Sequence, residues 1–366
     1  MRQDVFHVIM AGGSGTRFWP VSRTGRPKQF LALVGDQSLL RQAFERAAAM
    51  SGADKVYIAA GDAHRQMLLG ALPGWDGSRF IAEPCARNTA PCVGLSALRL
   101  RRVNPDGVMV VAPADHVYSN PDALRAAIEE AVRAARAGDA LVTLGIRPTH
   151  AETGYGYIEM EDESRAAPAG ARRAIRFVEK PDASTAKRYV ESGHFLWNSG
   201  VFIWKIGAIL HALETCAPEI WKHLVRIDKA MGGPDEERVT REAFEAMPSD
   251  SIDYAVMEKA PSVLVVPTDP GWSDVGSWDA VAALQDADAA GNSIVSPGAP
   301  DADALAINAS NNFVYNTTAR FISLIGVEDL LIVDSGDALL VCRKSDSQSV
   351  RAVVEALRAR GRTDLL

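Results

Sequence analysis

The chain has 366 residues, 47 % of them hydrophobic and 23 % charged, with a formal net charge of -7 and a mean hydropathy of -0.04. That is the composition of a globular protein, not of a disordered or fibrous one, and the length allows one large domain and one small. The negative balance leaves no basic footprint, which excludes nucleic acid and an anionic membrane surface as partners, so any phosphate must be held by local cations.

Met1-Arg2-Gln3-Asp4-Val5 runs straight into a first strand expected over Val5 to Met10, with no cleavage-site pattern and no membrane-spanning length. The strand ends on Ala11-Gly12-Gly13-Ser14-Gly15-Thr16-Arg17, and Pro27-Lys28-Gln29-Phe30 follows. Three glycines leave main-chain N–H groups open to a phosphate, and Arg17 and Lys28 bring cations to the same charge. A dinucleotide loop would need a glycine where Phe18 stands. A Walker loop would close on Gly-Lys-Ser/Thr, where this one closes on Gly15-Thr16-Arg17. The expected ligand is a nucleoside triphosphate; a plain strand-to-helix turn with solvated cations is the alternative.

Helices are expected over Leu39 to Met50, Thr89 to Arg101 and Leu124 to Ala137, between strands over Val56 to Ala60, Val108 to Ala112, Leu141 to Ile146 and Val263 to Val266. Such alternation implies an α/β domain with a largely parallel sheet covered on both faces, and ligands outside the carboxyl ends of its strands. Several polar motifs fall at those ends. Glu83-Pro84 and Arg87-Asn88-Thr89-Ala90-Pro91 precede a helix, either reading a base edge or capping it. Val110-Val111-Ala112-Pro113-Ala114-Asp115-His116 places Asp115 after an apolar strand, where it holds Mg²⁺ or caps the next helix; His116 is expected to pack behind it. Thr153-Gly154-Tyr155-Gly156-Tyr157 either brings backbone against a sugar or forms a bulge.

Glu161 to Arg173 reads as a solvated hairpin or loop. In Phe177-Val178-Glu179-Lys180-Pro181 adjacent side chains would diverge along a strand, but Pro181 ends it and lets both Glu179 and Lys180 reach one sugar phosphate. Asn198, in Leu196-Trp197-Asn198-Ser199-Gly200-Val201-Phe202, offers donor and acceptor to a pair of hydroxyls. Gly271-Trp272-Ser273-Asp274-Val275-Gly276-Ser277-Trp278 holds a second acid, Asp274, which either completes a metal site with Asp115 or caps a helix starting near Ser277. Asp286 to Pro300 reads as a linker. Short β-like runs follow at Phe313 to Tyr315, Phe321 to Ile325, Leu330 to Val333 and Ala338 to Cys342, then an amphipathic helix over Val350 to Arg360, with no repeat of fixed period. Cys85, Cys92, Cys216 and Cys342 show neither Cys-x-x-Cys spacing nor a neighbouring histidine pattern, so reduced thiols and a cytoplasmic location are expected.

Taken together and in this order, Gly-Gly-Ser-Gly-Thr-Arg-Phe-Trp-Pro, Pro-Lys-Gln-Phe, Ala-Pro-Ala-Asp-His, Phe-Val-Glu-Lys-Pro, Trp-Asn-Ser-Gly-Val-Phe and Trp-Ser-Asp-Val-Gly-Ser-Trp resemble the mannose-1-phosphate guanylyltransferases, within the sugar-1-phosphate nucleotidyltransferase family. The resemblance covers about residues 5 to 280. It implies a Rossmann-like catalytic domain over 1–285, a linker over 286–300 and a C-terminal β-rich unit with a terminal helix over 301–366. The implied reaction joins GTP and mannose 1-phosphate into GDP-mannose and pyrophosphate with Mg²⁺. Arg17, Lys28, Asp115 and Asp274 would be catalytic, the two aspartates holding the metal. Ala11, Gly12, Gly13, Ser14, Gly15 and Thr16 would hold the nucleotide with Glu83, Asn88, Thr89, Ala90, Pro113 and Ala114; Gly154, Glu179, Lys180 and Asn198 would hold the sugar phosphate. Ser251 to Lys259 also fits the family, as a supporting segment.

In some members the β-rich tail forms a left-handed β-helix used for dimerisation, which implies a homodimer. Others continue into a cupin domain with isomerase activity, for which the residues before Leu366 leave no room, so a single activity is expected. Competing readings are a UTP- or dTTP-dependent glucose-1-phosphate nucleotidyltransferase, and a catalytically silent, nucleotide-sensing regulatory protein of the same fold.

Overall fold

The structure is a computed structural model and describes residues 4–13, 15–162, 170–298 and 304–366. The chain divides into two compact units. The first comprises Met1–Gly12, Phe44–Ala114 and Tyr118–Trp272; the second comprises Gly13–Ala43, Asp115–Val117 and Ser273–Leu366. The unit that contains the C-terminal β region thus also takes in the segments around Lys28 and Asp115.

Strands β1 (Val5–Met10), β2 (Val56–Gly61), β3 (Phe80–Glu83), β4 (Val108–Pro113), the two-residue β5 (Val117–Tyr118), β6 (Leu141–Ile146), β7 (Gly156–Met160), β8 (Arg172–Glu179), β9 (Phe195–Lys205) and β10 (Val263–Thr268) appear in chain order. All but β5 form one nine-stranded sheet, ordered β3-β2-β1-β4-β9-β6-β10-β8-β7. Only β8 and β9 run against the rest, so the sheet is mostly parallel. Alternating side chains divide between its two faces. Phe6 and Val8 of β1, with Met109 and Val111 of β4, join a core that includes Val93, Leu213 and Leu224, whereas Val5, Val108 and Val110 face Leu124, Ile128 and Val132.

Those last three residues belong to the helix Pro121–Ala137. It starts where Asn120 accepts a hydrogen bond from the Ala123 amide at 3.0 Å, with proline at the first turn. Its apolar positions recur at helical spacing, so one stripe is buried; truncating Ile128 there would cost about 2–5 kcal/mol. A similar start governs the helix Thr89–Val103, whose cap Asn88 accepts from the Thr89 amide at 2.9 Å.

The polar stretch from Glu161 to Arg173, expected to be a solvated hairpin or loop, falls between the antiparallel strands β7 and β8 as a hairpin connection does, with only the last two of its described residues inside a strand. Arg172 and Arg173 open strand β8, and the Arg173 carbonyl accepts from the Glu161 amide at 2.9 Å. Their side chains are polar because this strand keeps much of one face in solvent. Residues 163–169 of that stretch lie outside the described residues.

In the second unit, Phe18, Leu31, Leu33, Val275, Trp278, Phe313, Tyr315, Leu331, Val333 and Val354 form a single core. Trp278 is fully buried, meets Phe18 edge-on at 5.3 Å and donates from Nε1 to the Trp19 carbonyl at 3.2 Å. The Tyr315 hydroxyl donates to the Ala32 carbonyl at 3.0 Å. The segment following the glycines is therefore packed on the β region. The expected linker also contains a strand, Ser293–Val295. It pairs in parallel with Phe313–Asn316, which pairs in parallel with Leu330–Asp334; Ala304–Ile307 pairs in parallel with Ile322–Ile325.

This stacking is a coil of successive rungs, and it has a repeat the sequence reading did not find. Asn311 and Asp329, 18 positions apart and hydrogen-bonded through their side chains, both turn corners with positive φ, as do Asn308 and Gly326 at the same spacing. Inside, Asn312 Nδ2 donates to Asn292 Oδ1 at 2.9 Å, and Asn312 Oδ1 accepts from the Leu330 amide at 3.0 Å, satisfying buried polar groups at the rung ends. The terminal helix Val350–Ala359 lies as expected, with Val350 and Val354 buried.

Candidate functional site

Lys28 is the centre of the cluster in the second unit. Its side chain is 9 % exposed, and its ammonium donates to Asp115 Oδ2 at 2.8 Å and to the Asp274 main-chain carbonyl at 2.6 Å, over the Phe18 ring. Gly15 makes room for this. It sits in the left-handed region at φ 58, and a Cβ there would lie 2.6 Å from both Cβ and N of Lys28, so no other residue fits without moving the Lys28 backbone. Ser14 lies outside the described residues. Gly12 and Gly13 have open space where a Cβ would stand, and Gly13 adopts φ 106.

Burial by itself would push the Asp115 carboxyl up, but Lys28, His116 and the Lys28 hydrogen bond together hold it below the usual carboxylate range. It is thus charged at neutral pH while a third of its side chain stays open. His116 Nε2 lies 4.0 Å from Asp115 Oδ1, behind the carboxylate as expected. Asp274 is in a turn where Val275 has φ 47 and its amide donates to Ser273 Oγ at 3.1 Å. The carboxylate folds over Gly276, where a Cβ would meet Asp274 Oδ2 at 3.0 Å. Arg17 donates to the Gly276 carbonyl at 3.4 Å; burial lowers its guanidinium, Arg351 adds to that and Asp274 opposes it, yet it stays protonated at physiological pH.

Neither aspartate caps a helix. Asn120 caps the helix after Asp115, and the helix Trp278–Ala282 starts from Ser277 with no side-chain cap. Among the described residues no three acidic, histidine or cysteine side chains gather as a full metal cage. Two carboxylates, one of them favoured in its charged form by Lys28, suit Mg²⁺, which takes one or two carboxylates and completes its shell with phosphate oxygens and water.

In the first unit, Glu83 ends β3 and is hydrogen-bonded to Cys92; burial pushes its carboxyl up to about 7 against that bond. The residues after it are engaged in holding the loop. Asn88 caps the helix at φ 66, Thr89 Oγ1 accepts from the Ile252 amide at 2.8 Å, and the Ala90 amide donates to the Asp250 carbonyl at 3.1 Å. Arg87 Nε donates to the Phe244 carbonyl at 2.7 Å. The amides of Ala11 and Ala114 donate to the carbonyls of Ala59 and Met10 at 2.8 and 3.0 Å, extending the sheet past the ends of β1 and Pro113.

A separate group forms where β7, β8 and β9 meet. Gly156 opposes Glu179 in register; a Cβ on it would stand 2.5 Å from Glu179 Oε2 and 3.4 Å from Asn198 Cβ. Lys180 takes φ 46, its amide donates to the Tyr155 carbonyl at 3.2 Å, and its ammonium pairs with Glu179 Oε1 at 3.0 Å. The left-handed backbone of Lys180 is therefore what brings the two neighbouring side chains to one side. Gly154 donates from its amide to Glu152 Oε1 at 2.7 Å. Tyr155, Trp197 and Trp272 wall this region, with Tyr155 edge-on to Trp197 at 5.2 Å and to Trp272 at 5.0 Å.

Among the described residues, non-glycine positive φ occurs at Asn308, Asn311 and Asp329 in the coil corners and otherwise only at Asn88, Lys180 and Val275, one beside each polar group just described. Strained backbone tends to collect at such places. Sequence reasoning did not name Glu152, gave no site role to Asp253, which accepts from Asn198 Nδ2 at 2.7 Å, and passed over the aromatic wall. Asp253 lies in a segment read only as supporting, with no glycine or proline to mark it.

Residues 6–291 match the model of the nucleotidyl transferase family, and residues 303–357 match that of the MannoseP isomerase/GMP-like beta-helix domain. The mannose-1-phosphate guanylyltransferase of Escherichia coli is 40 % identical over 374 residues, covering 99 % of this chain and 75 % of that protein. The xanthan biosynthesis protein XanB of Xanthomonas campestris is 40 % identical over 367 residues, again 99 % and 75 %. Among solved structures, that of mannose-1-phosphate geranyltransferase from Thermus thermophilus superposes with a TM-score of 0.87 at 31 % identity, covering 98 % of this chain and 100 % of that one.

Proposed function

The chain belongs to the nucleotidyl transferase family, and from that membership we propose that it transfers GMP from GTP to mannose 1-phosphate, giving GDP-mannose and pyrophosphate. A phosphate oxygen of mannose 1-phosphate forms the new bond to the α-phosphorus of GTP in line as the bond to pyrophosphate breaks, so no protein nucleophile is required. What the chain supplies is position and charge. The loop that Ala11 opens cradles the triphosphate with the amides of Gly12, Gly13, Ser14, Gly15 and Thr16, with Arg17 and Lys28 as its cations. Asp115 and Asp274 are the residues that would hold Mg²⁺, which when bound neutralises charge on the phosphates. Glu83 accepts from guanine N–H groups, with Asn88, Thr89 and Ala90 keeping its loop in place and Pro113 and Ala114 flanking the base. The Gly154 backbone, Glu179, Lys180 and Asn198 take the sugar phosphate.

The observation that carries this reading is the Lys28 ammonium, fixed between Asp115 and the Asp274 carbonyl and reachable only because Gly15 lacks a Cβ. Pyrophosphate release, measured with GTP, UTP and dTTP against mannose 1-phosphate and glucose 1-phosphate, tests it. GTP with mannose 1-phosphate should be fastest by at least tenfold. Preference for UTP or dTTP with glucose 1-phosphate would replace the substrate assignment, and GTP binding without any turnover would leave a regulatory protein.

A homodimer is part of the same proposal, supported by the outward side chains Leu305, Ile307 and Ile325 of the paired strands Ala304–Ile307 and Ile322–Ile325, which are 48 %, 44 % and 67 % exposed. No helix among the described residues is long and apolar enough to cross a membrane. The cytoplasm is the proposed location.

A further inference from the structure

Asn198 is held from both ends. Its Oδ1 accepts from the Gly200 amide at 3.1 Å and its Nδ2 donates to Asp253 Oδ1 at 2.7 Å. The two bonds agree on which end of the amide is oxygen, so the orientation of the side chain is determined. Asp253 arrives from a single π-turn, Asp253–Met257, closed by the Glu258 amide donating to the Asp253 carbonyl at 2.9 Å. Such turns are rare in general and common at functional sites.

A second carboxylate shares the neighbourhood. Glu179 and Asn198 both come close to Gly156, and Glu179 Oε2 would stand 2.5 Å from a Cβ at residue 156, so none fits there. Burial pushes the Asp253 carboxyl up, the Asn198 bond opposes this, and the charge of Glu179 adds to the rise. The ammonium of Lys180 is paired with Glu179. Two acids beside one amide are costly unless hydrogen-bond donors come to them, and an ionised carboxylate can only accept. Ring hydroxyls are neutral donors of the required kind, and a sugar presents them in adjacent pairs.

We propose that Asp253 is a sugar-binding residue: with Glu179 in the same neighbourhood, it accepts a hydrogen bond from a ring hydroxyl of the sugar phosphate, so that two carboxylates hold the sugar's hydroxyl edge. This rests on the assignment of a sugar phosphate to the group at β7, β8 and β9 and adds the residue that completes it. Asp253 also fixes Asn198 before the sugar arrives, which lowers the ordering cost of binding.

Steady-state kinetics with mannose 1-phosphate and its monodeoxy analogues test the proposal, using Asp253→Asn with Asp253→Ser alongside in case the amide misfolds. Each variant's unfolding temperature is measured first. In Asp253→Asn the KM for mannose 1-phosphate should rise roughly 10- to 100-fold, the range for losing a hydrogen bond to a charged group, while the KM for GTP changes less than twofold. With one deoxy analogue the difference between wild type and variant should shrink to under threefold, because the hydroxyl that Asp253 meets is already gone. An equal penalty with every analogue, or an equal shift in both KM values, would overturn the proposal and make Asp253 a structural residue. Absence of wild-type turnover with GTP and mannose 1-phosphate would defeat the functional reading instead, and the two failures are separable in the same experiment.

Discussion

Gly15→Ala is the sharpest perturbation the structure offers. The new Cβ would stand 2.6 Å from both Cβ and N of Lys28 and 3.1 Å from its Cα, all atoms at or next to the backbone. Ordinary contact needs about 3.4 Å or more, so the Lys28 backbone must retreat by roughly 0.8 Å, and the alanine must also bear a left-handed conformation worth about 1–2 kcal/mol. The ammonium rides on that backbone, with its bonds to Asp115 and Asp274 at 2.8 and 2.6 Å. A misplacement approaching 1 Å near the reacting groups costs on the order of a hundredfold in rate. Turnover of GTP with mannose 1-phosphate should therefore fall about 100-fold in a protein that still folds. Gly12→Ala is the stability control, since nothing lies within 4 Å of its would-be Cβ; its unfolding temperature should match wild type. Gly15→Ala with turnover within threefold of wild type would show that Lys28 need not stay where this backbone puts it.

Asp115→Asn and Asp274→Asn should each lower turnover at least about 100-fold, the scale of one lost transition-state contact, and each should weaken Mn²⁺ binding in the presence of GTP by calorimetry. Glu83 has its carboxyl raised by burial from 4.5 to about 7, so the folded state holds the proton more tightly than the unfolded one. The resulting stability is present below pH 4.5 and lost as pH rises through about 7, and Glu83→Gln should flatten that decline in thermal unfolding. His7 is the opposite case: burial lowers it from 6.5 to about 4, so stability is present above pH 6.5 and lost as pH falls through about 4, a loss that His7→Phe should remove. Ile325→Glu should convert a dimer to a monomer in light scattering, with pyrophosphate release otherwise retained; an unchanged mass would place the interface elsewhere.

The acids show how far a sequence motif goes. Asp115 and Asp274 stand out because each interrupts apolar sequence, yet the same pattern fits a helix cap, and only the observed caps at Asn120 and Ser277 remove that alternative. Glu179 and Lys180 show the converse. Adjacent residues on a strand ought to diverge, and what unites them is the left-handed Lys180 backbone, a conformation rare enough in lysine that composition gives no hint of it. The coil was hidden for another reason: its corners at Asn308, Asn311, Gly326 and Asp329 repeat at 18 positions, but the side chains at equivalent places differ in kind.

The amino-acid order alone determined the alternation of strand and helix, the glycine loop after β1 and the identity of nearly every polar residue in the site, because hydrophobic period and turn chemistry act over a few neighbouring residues. Which groups those residues touch was decided by the tertiary structure. Lys28 meets Asp274 across 246 positions and Asn198 meets Asp253 across 55. Over such separations the chain carries no local signal, and only the packing of Trp278, Phe313 and Tyr315 around the Lys28 segment, and of the π-turn beside β9, sets the distances on which charge and hydrogen bonding depend.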